Sequence, residues 1–164
     1  MLTLLRNVGK LGEVFLSLSY DVGTECVTVQ IFAARDVAQA SVAARYYLRI
    51  LIVVGTRIVK VKSSSISSTV YGVFNYCRSF RIPFQMLNSC CLKFEIVGIR
   101  QDDSEEVWGR VIVGSCRYTV GKGVEHWMQM SASEGRTVEM WHDILYFLPN
   151  RIPDRQMRHP RRFD

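Results

Sequence analysis

The chain has 164 residues, 48% hydrophobic and 22% charged, with a formal net charge of +6. That length favours one domain with a real core, and the composition argues against disordered, fibrous or disulfide-scaffold classes. No run of about eighteen apolar residues reads as a membrane-spanning helix, and Met1 to Arg6 is too short for the apolar stretch of a signal peptide.

The elements follow in order. Val14, Leu16, Leu18 and Tyr20 alternate with Phe15, Ser17 and Ser19, the period-two pattern of a half-buried strand. After turn chemistry at Asp21-Val22-Gly23-Thr24, Val27, Val29, Ile31 and Ala33 repeat the pattern. A loop from Arg35 to Ala44 leads to a third expected strand, 46–52; Val54-Gly55 then turns the chain into a fourth, 57–62. A serine-rich loop, Ser63 to Thr69, precedes a fifth strand over 74–82, ended by Pro83, and a short turn of helix fits 84–88. Leu92, Phe94 and Ile96 mark the sixth strand. Val107, Gly109, Val111 and Val113 mark the seventh, with Trp108, Arg110 and Ile112 expected on its other face.

After Gly114 the period changes. Val124, Trp127 and Met128 fall at helical spacing, so 123–132 is expected to be a short amphipathic helix, and 137–142 returns to alternation as a last strand. Eight strands with turn signals about every ten residues predict an all-β fold, an eight-stranded antiparallel β-sandwich with a short helix before its last strand. Residues 12–147 then form the domain, 1–11 a lead segment and 148–164 a basic tail. Five arginines and Pro149, Pro153 and Pro160 give that tail the composition of a disordered segment.

The loop between the sixth and seventh strands, Gly98 to Glu106, carries Asp102, Asp103, Glu105 and Glu106 and no apolar residue after Ile99. A loop that gathers oxygens in this way has the raw material for a hard-cation site. Arg57, Lys60 and Lys62 give the fourth strand a basic character, with Ile58, Lys60 and Lys62 sharing one face by simple alternation. Arg78 falls where the parity of Phe74, Tyr76, Phe80 and Ile82 asks for an apolar group. Its long stem reaching the surface, or a paired carboxylate, would resolve that conflict.

The order of elements and the stretch Gly12-Glu13-Val14-Phe15-Leu16-Ser17-Leu18-Ser19-Tyr20 resemble a synaptotagmin-type C2 domain. Phe74-Asn75 with Phe80-Arg81-Ile82-Pro83 resembles the fifth strand of that family. Gly123 to Met130 and Met140-Trp141-His142-Asp143-Ile144 resemble the G-x-x-x-H-W-x-x-M helix and W-H-x-L end of the second, C2B-like, domain of tandem-C2 proteins, with Ile144 replacing Leu. The resemblance covers about residues 12–145. It implies a non-enzymatic module of vesicle trafficking and exocytosis, cytoplasmic and peripheral at membranes.

It also implies where calcium ligands would stand. Of five family carboxylate positions, one falls in the acid-free stretch Ala38 to Val42, and three are Arg45, Gly98 and Arg100; Glu106 alone keeps an acid. One carboxylate facing two guanidinium groups cannot supply the six to eight oxygens calcium takes. No calcium and no other cofactor is therefore expected. The basic strand Arg57, Lys60 and Lys62 is the expected lipid or partner contact, and His126, Trp127, Trp141 and His142 are expected as packing or docking elements of the closing motif.

Other chemistries fare worse. No G-x-S-x-G, phosphate-loop or H-E-x-x-H pattern appears, and pairing Cys116 with His126 rests on a spacing of no known meaning. Five cysteines without C-x-x-C spacing suit reduced thiols in a cytosolic or nuclear protein, and the vicinal Cys90-Cys91 is a candidate for lipidation. The arginine tail raises nucleic-acid or nuclear contact, without an RNP, KH or helix-turn-helix signature to accompany it. The expected partners are anionic phospholipids, trafficking proteins or a second C2 domain, including homo- or hetero-oligomers. The alternative is a pure protein-interaction scaffold with a vestigial lipid surface.

Overall fold

The computed structural model describes residues 9–41, 44–63, 67, 69–115, 119 and 121–146, and the backbone alone over 59–63. Among the described residues eight strands form: β1 (Lys10–Asp21), β2 (Cys26–Arg35), β3 (Arg45–Val54), β4 (Arg57–Ser63), β5 (Gly72–Arg81), β6 (Cys90–Ile99), β7 (Glu105–Gly114) and β8 (Val138–Tyr146). A 3-10 helix, Phe84–Ser89, precedes β6, and α1 (Lys122–Ala132) lies between β7 and β8. The strand order is β4-β3-β6-β7-β8-β1-β2-β5, every pairing antiparallel.

The seam of this sheet is the β7–β8 pair. It consists of two residue pairs, Gly109 with Tyr146 and Arg110 with Leu145. A side chain at Gly109 would begin 2.7 Å from the Leu145 carbonyl oxygen, so the strands meet there only because glycine is present. About this seam the sheet curls into two four-stranded halves with one core between them. Leu16, Leu18, Val29 and Ile31 come from one half, and Leu48, Ile50, Leu92 and Phe94 from the other. The alternating residues of the sequence thus become facing layers, and burying them is the main stabilising term.

The domain begins earlier than its sequence suggests, because Lys10 and Leu11 lie in β1 and Leu11 is in the core rather than in a lead segment. The expected tail, 148–164, lies outside the described residues.

Register shifts interrupt period-two alternation in five of the strand pairings, and in three of these pairings one strand carries a single extra residue that changes the expected faces. Phe32 is the extra residue in β2, Val59 in β4 and Trp108 in β7. Such bulges turn the following side chains over. Trp108, expected on the outer face with Arg110 and Ile112, is for this reason buried in the core, its ring centroid 6.0 Å from that of Tyr46. The shift at Val59 likewise breaks the alternation expected for β4: Ile58 pairs with Val53, whereas Lys60 and Lys62 pair with Ile52 and Ile50.

The helix also presents a different stripe from the expected Val124, Trp127 and Met128. Gly123, His126, Trp127 and Met130 are the buried positions, and Met128 is exposed. His126 can turn inward because its ring finds hydrogen-bond partners there.

The two closing-motif tryptophans differ in burial. Trp127 is fully buried and its indole N–H donates to the Leu87 carbonyl at 3.1 Å. Trp141 is only half-buried. It stacks on Phe15 with centroids 5.0 Å apart, under the Arg35 guanidinium at 3.8 Å. Trp127→Ala is therefore expected to lower stability by about 3–5 kcal/mol. Trp141→Ala forfeits mainly one ring pair and one cation–π contact, about 1–2 kcal/mol. Denaturant unfolding of the two variants checks that order.

Candidate functional site

The β6–β7 loop stands where β3 begins, because Arg45 pairs with Ile99. The β2–β3 and β4–β5 connections join it at the same end: the Val37 amide donates to the Val70 carbonyl, and Tyr46 bridges Ser67. Asp103 holds a left-handed φ of 63° at the loop tip, and the Arg100 amide closes the loop on the Ser104 carbonyl at 2.9 Å.

Each of the four carboxylates has its own partner within this loop end. An Asp102 oxygen accepts from the Ser104 amide at 3.0 Å and hydroxyl at 2.6 Å, which lowers the Asp102 pKa. Asp103 pairs with Arg45 at 3.5 Å. Glu105 accepts from the Tyr47 hydroxyl at 3.0 Å. Glu106 accepts from Arg100 at 2.5 Å on one oxygen and from the Trp108 indole N–H at 3.2 Å on the other. The Arg100 contact is the first cause that holds the Glu106 carboxyl below its usual range.

Gly98 completes the arrangement. A side-chain carbon there would fall 1.9 Å from the Trp108 indole. The inward turn of Trp108 therefore fills the space that a ligand side chain at position 98 would need. Arg45 and Arg100 stand at two further positions, each already paired with an acid. The four carboxylates diverge onto separate partners instead of converging on one point. Among the described residues no group of three or more His, Cys, Asp or Glu side chains is placed to hold a metal ion. Ala38 to Ser41 lie in the described β2–β3 connection, whereas Val42 lies outside the described residues.

The other sequence candidates are distributed over the domain. Arg57 and Ile58 are exposed at the start of β4, an outermost strand of the sheet, and the backbone places Lys60 and Lys62 two residues apart farther along it. Arg78 is exposed, its guanidinium 4.5 Å over the Tyr76 ring and donating to the Cys77 carbonyl at 2.8 Å. The long stem thus settles the parity conflict. Cys90 and Cys91 are fully buried, which argues against their lipidation; Cys116 lies outside the described residues.

His126 on α1 and His142 on β8 meet directly. His126 Nδ1 and His142 Nε2 are 2.7 Å apart, and His126 Nε2 is 2.8 Å from the Val138 carbonyl oxygen. Burial is the first cause that lowers both pKa values, His142 to about 4. A cavity of about 360 Å³ opens beside them, lined by Arg110, Lys122, Gly123, His142 and Asp143 among others. Sequence reasoning missed this pair, and it missed Trp108 as the group filling the loop end. Two histidines sixteen residues apart carry no pattern, and nothing in the composition of β7 marks its extra residue.

Set beside known proteins, the chain is 32% identical over 138 residues to Synaptotagmin 1 of Drosophila melanogaster, a span of 82% of this chain and 29% of that protein. It is 28% identical over 146 residues to Synaptotagmin-11 of Homo sapiens, covering 85% of this chain and 34% of that one. Residues 9–146 form a synaptotagmin-type C2 domain. The fold agrees with a RIM C2 domain from Drosophila, at a TM-score of 0.60, 12% identity, and 83% and 99% of the two chains covered. It also agrees with the first C2 domain of human synaptotagmin XIII, at 0.57 and 12%, with 83% and 88% covered. No protein-family model matches the chain. The C2 chain spans about a third of the length of these curated relatives.

Trp108 and Gly98 give a direct test of this packing. Gly98→Ala is expected to cost about 1–3 kcal/mol through overpacking. Combining it with Trp108→Leu should recover part of that loss. Chemical denaturation of the single and double variants reads the coupling; additive losses would mean that the two residues do not compete for one space.

Proposed function

We propose that this C2 domain is a calcium-independent docking module that meets anionic membrane surfaces through β4, with trafficking proteins or another C2 domain as further partners. The observation that carries the calcium-independent part is the state of the loop end. Its acids are individually engaged, and the room at Gly98 is filled by Trp108. Charge supports the membrane part: Arg57 is exposed, and Lys60 and Lys62 follow it on a strand at the margin of the sheet. At roughly 1 kcal/mol per basic residue near an anionic leaflet, these three supply about 3 kcal/mol. That is a weak encounter, which a second domain or anchor would convert into stable docking. The placement of α1 between β7 and β8 supports the C2B-like reading.

Cosedimentation with phosphatidylserine vesicles tests both parts. Binding is expected in chelator, unchanged by calcium, and weakened by salt as exposed charge attraction is screened. Lys60→Glu with Lys62→Glu should abolish it at little cost in melting temperature, since surface changes away from packing usually cost little. Binding that requires calcium, or that survives the double substitution, would contradict the proposal. Loss of vesicle binding by the wild type, with protein capture retained, would favour the scaffold alternative.

A further inference from the structure

We propose that His126 and His142 act as an acid-released clasp, holding α1 against β8 while both rings are neutral and letting it lift when they take up protons. The proton positions follow from the partners. The Val138 carbonyl can only accept, so His126 Nε2 carries its hydrogen and the neutral ring presents Nδ1 as a lone pair. His142 Nε2–H must then donate to it, across 2.7 Å. One arrangement of two hydrogens satisfies the pair. A third proton creates a cation on rings that are 0% and 2% exposed. A fourth places two N–H groups face to face and breaks the bond.

The surrounding charges do not offset this. Lys122 on α1 opposes charge on His142, and Asp143 on β8 favours it. Asp143, however, is already bound by Lys10 of β1 at 3.1 Å, and Lys10 is shared with Glu13 at 3.1 Å. From β7, Arg110 lines the same cavity. Glu125 favours charge on His126, but burial outweighs it. That cavity reaches His142 beside the first turn of α1, giving water a route to the pair. Opening α1 would return both rings to water, where they bind protons below about pH 6.5.

The sign follows from linkage. Both folded pKa values are depressed, so the clasp is complete above about pH 6.5 and weakens as pH falls toward 4. Lifting α1 also exposes Trp127 and Met130 of the core, but β8 keeps its own ladder with β1 over Lys10–Leu18, so the strands need not open with the helix.

Amide hydrogen exchange on the full chain, corrected for intrinsic rates, tests the clasp. Between pH 6.5 and 4.5 the protection of α1 amides should fall on the order of 100-fold, while β3 and β6 amides hold theirs. His142→Gln keeps a donor toward His126 but cannot titrate there, and it should remove most of this dependence. If that variant does not fold, histidine ring resonances of the wild type replace it, and they should shift together with α1 amides. Unchanged α1 protection at pH 4.5, simultaneous loss across α1, β3 and β6, or undiminished dependence in His142→Gln would overturn the proposal.

Discussion

One extra residue in β7 governs both the shape of this domain and the chemistry of its loop end. At Trp108 the strand holds two residues against one on β6, and a bulge of this kind re-aims side chains and increases local twist. The indole turns inward against Tyr46 and over Gly98. The next residue, Gly109, is where β7 meets β8 and the two halves of the sheet join. Core packing, the seam and the filled space beside Gly98 thus depend on two adjacent residues of one strand. A change that removed the bulge would flip the parity of the strand on one side of it, with cost at all three places.

The acidic loop shows how a cluster of carboxylates can be structural. Four acids in five residues would repel one another in isolation, but each has a donor of its own: Ser104, Arg45, Tyr47 or Arg100 with Trp108. Arg45 and Arg100 are two of these donors, so the loop carries its own counter-charge. These pairs are exposed, and each adds little to global stability. Their effect is local, fixing the loop in a conformation whose carboxylates diverge.

Much of the fold is legible in the sequence because alternation is a strong signal wherever one strand face is buried. Val14, Leu16, Leu18, Tyr20, Val27, Val29 and Ile31 are all core residues. The C2 motifs add the topology, which periodicity alone cannot give. Legibility ends at the bulges: parity misplaces Trp108 and the neighbourhood of Ile58, because an inserted residue inverts it. At the loop end the residue types are legible, since Arg45, Gly98, Arg100 and Glu106 can be read directly. Their mutual engagement is not, because it depends on Trp108 reaching across to Glu106 and Gly98. The His126–His142 bond is equally hidden. It joins a helix stripe that differs from the expected one to a strand face, and no local rule couples them.

Packing of Trp108 over Gly98 and the paired charges of Arg45 and Arg100 together oppose a divalent cation at the loop end. Calorimetric titration of the domain with millimolar calcium, paired with thermal unfolding in calcium and in chelator, tests this opposition most directly. A ligand that does not bind the folded state cannot shift its stability, so no saturable heat and coincident unfolding curves are expected. Saturable heat with a calcium-dependent rise of several degrees would contradict it, and would mean that Asp102, Asp103, Glu105 and Glu106 can abandon their present partners to form a site.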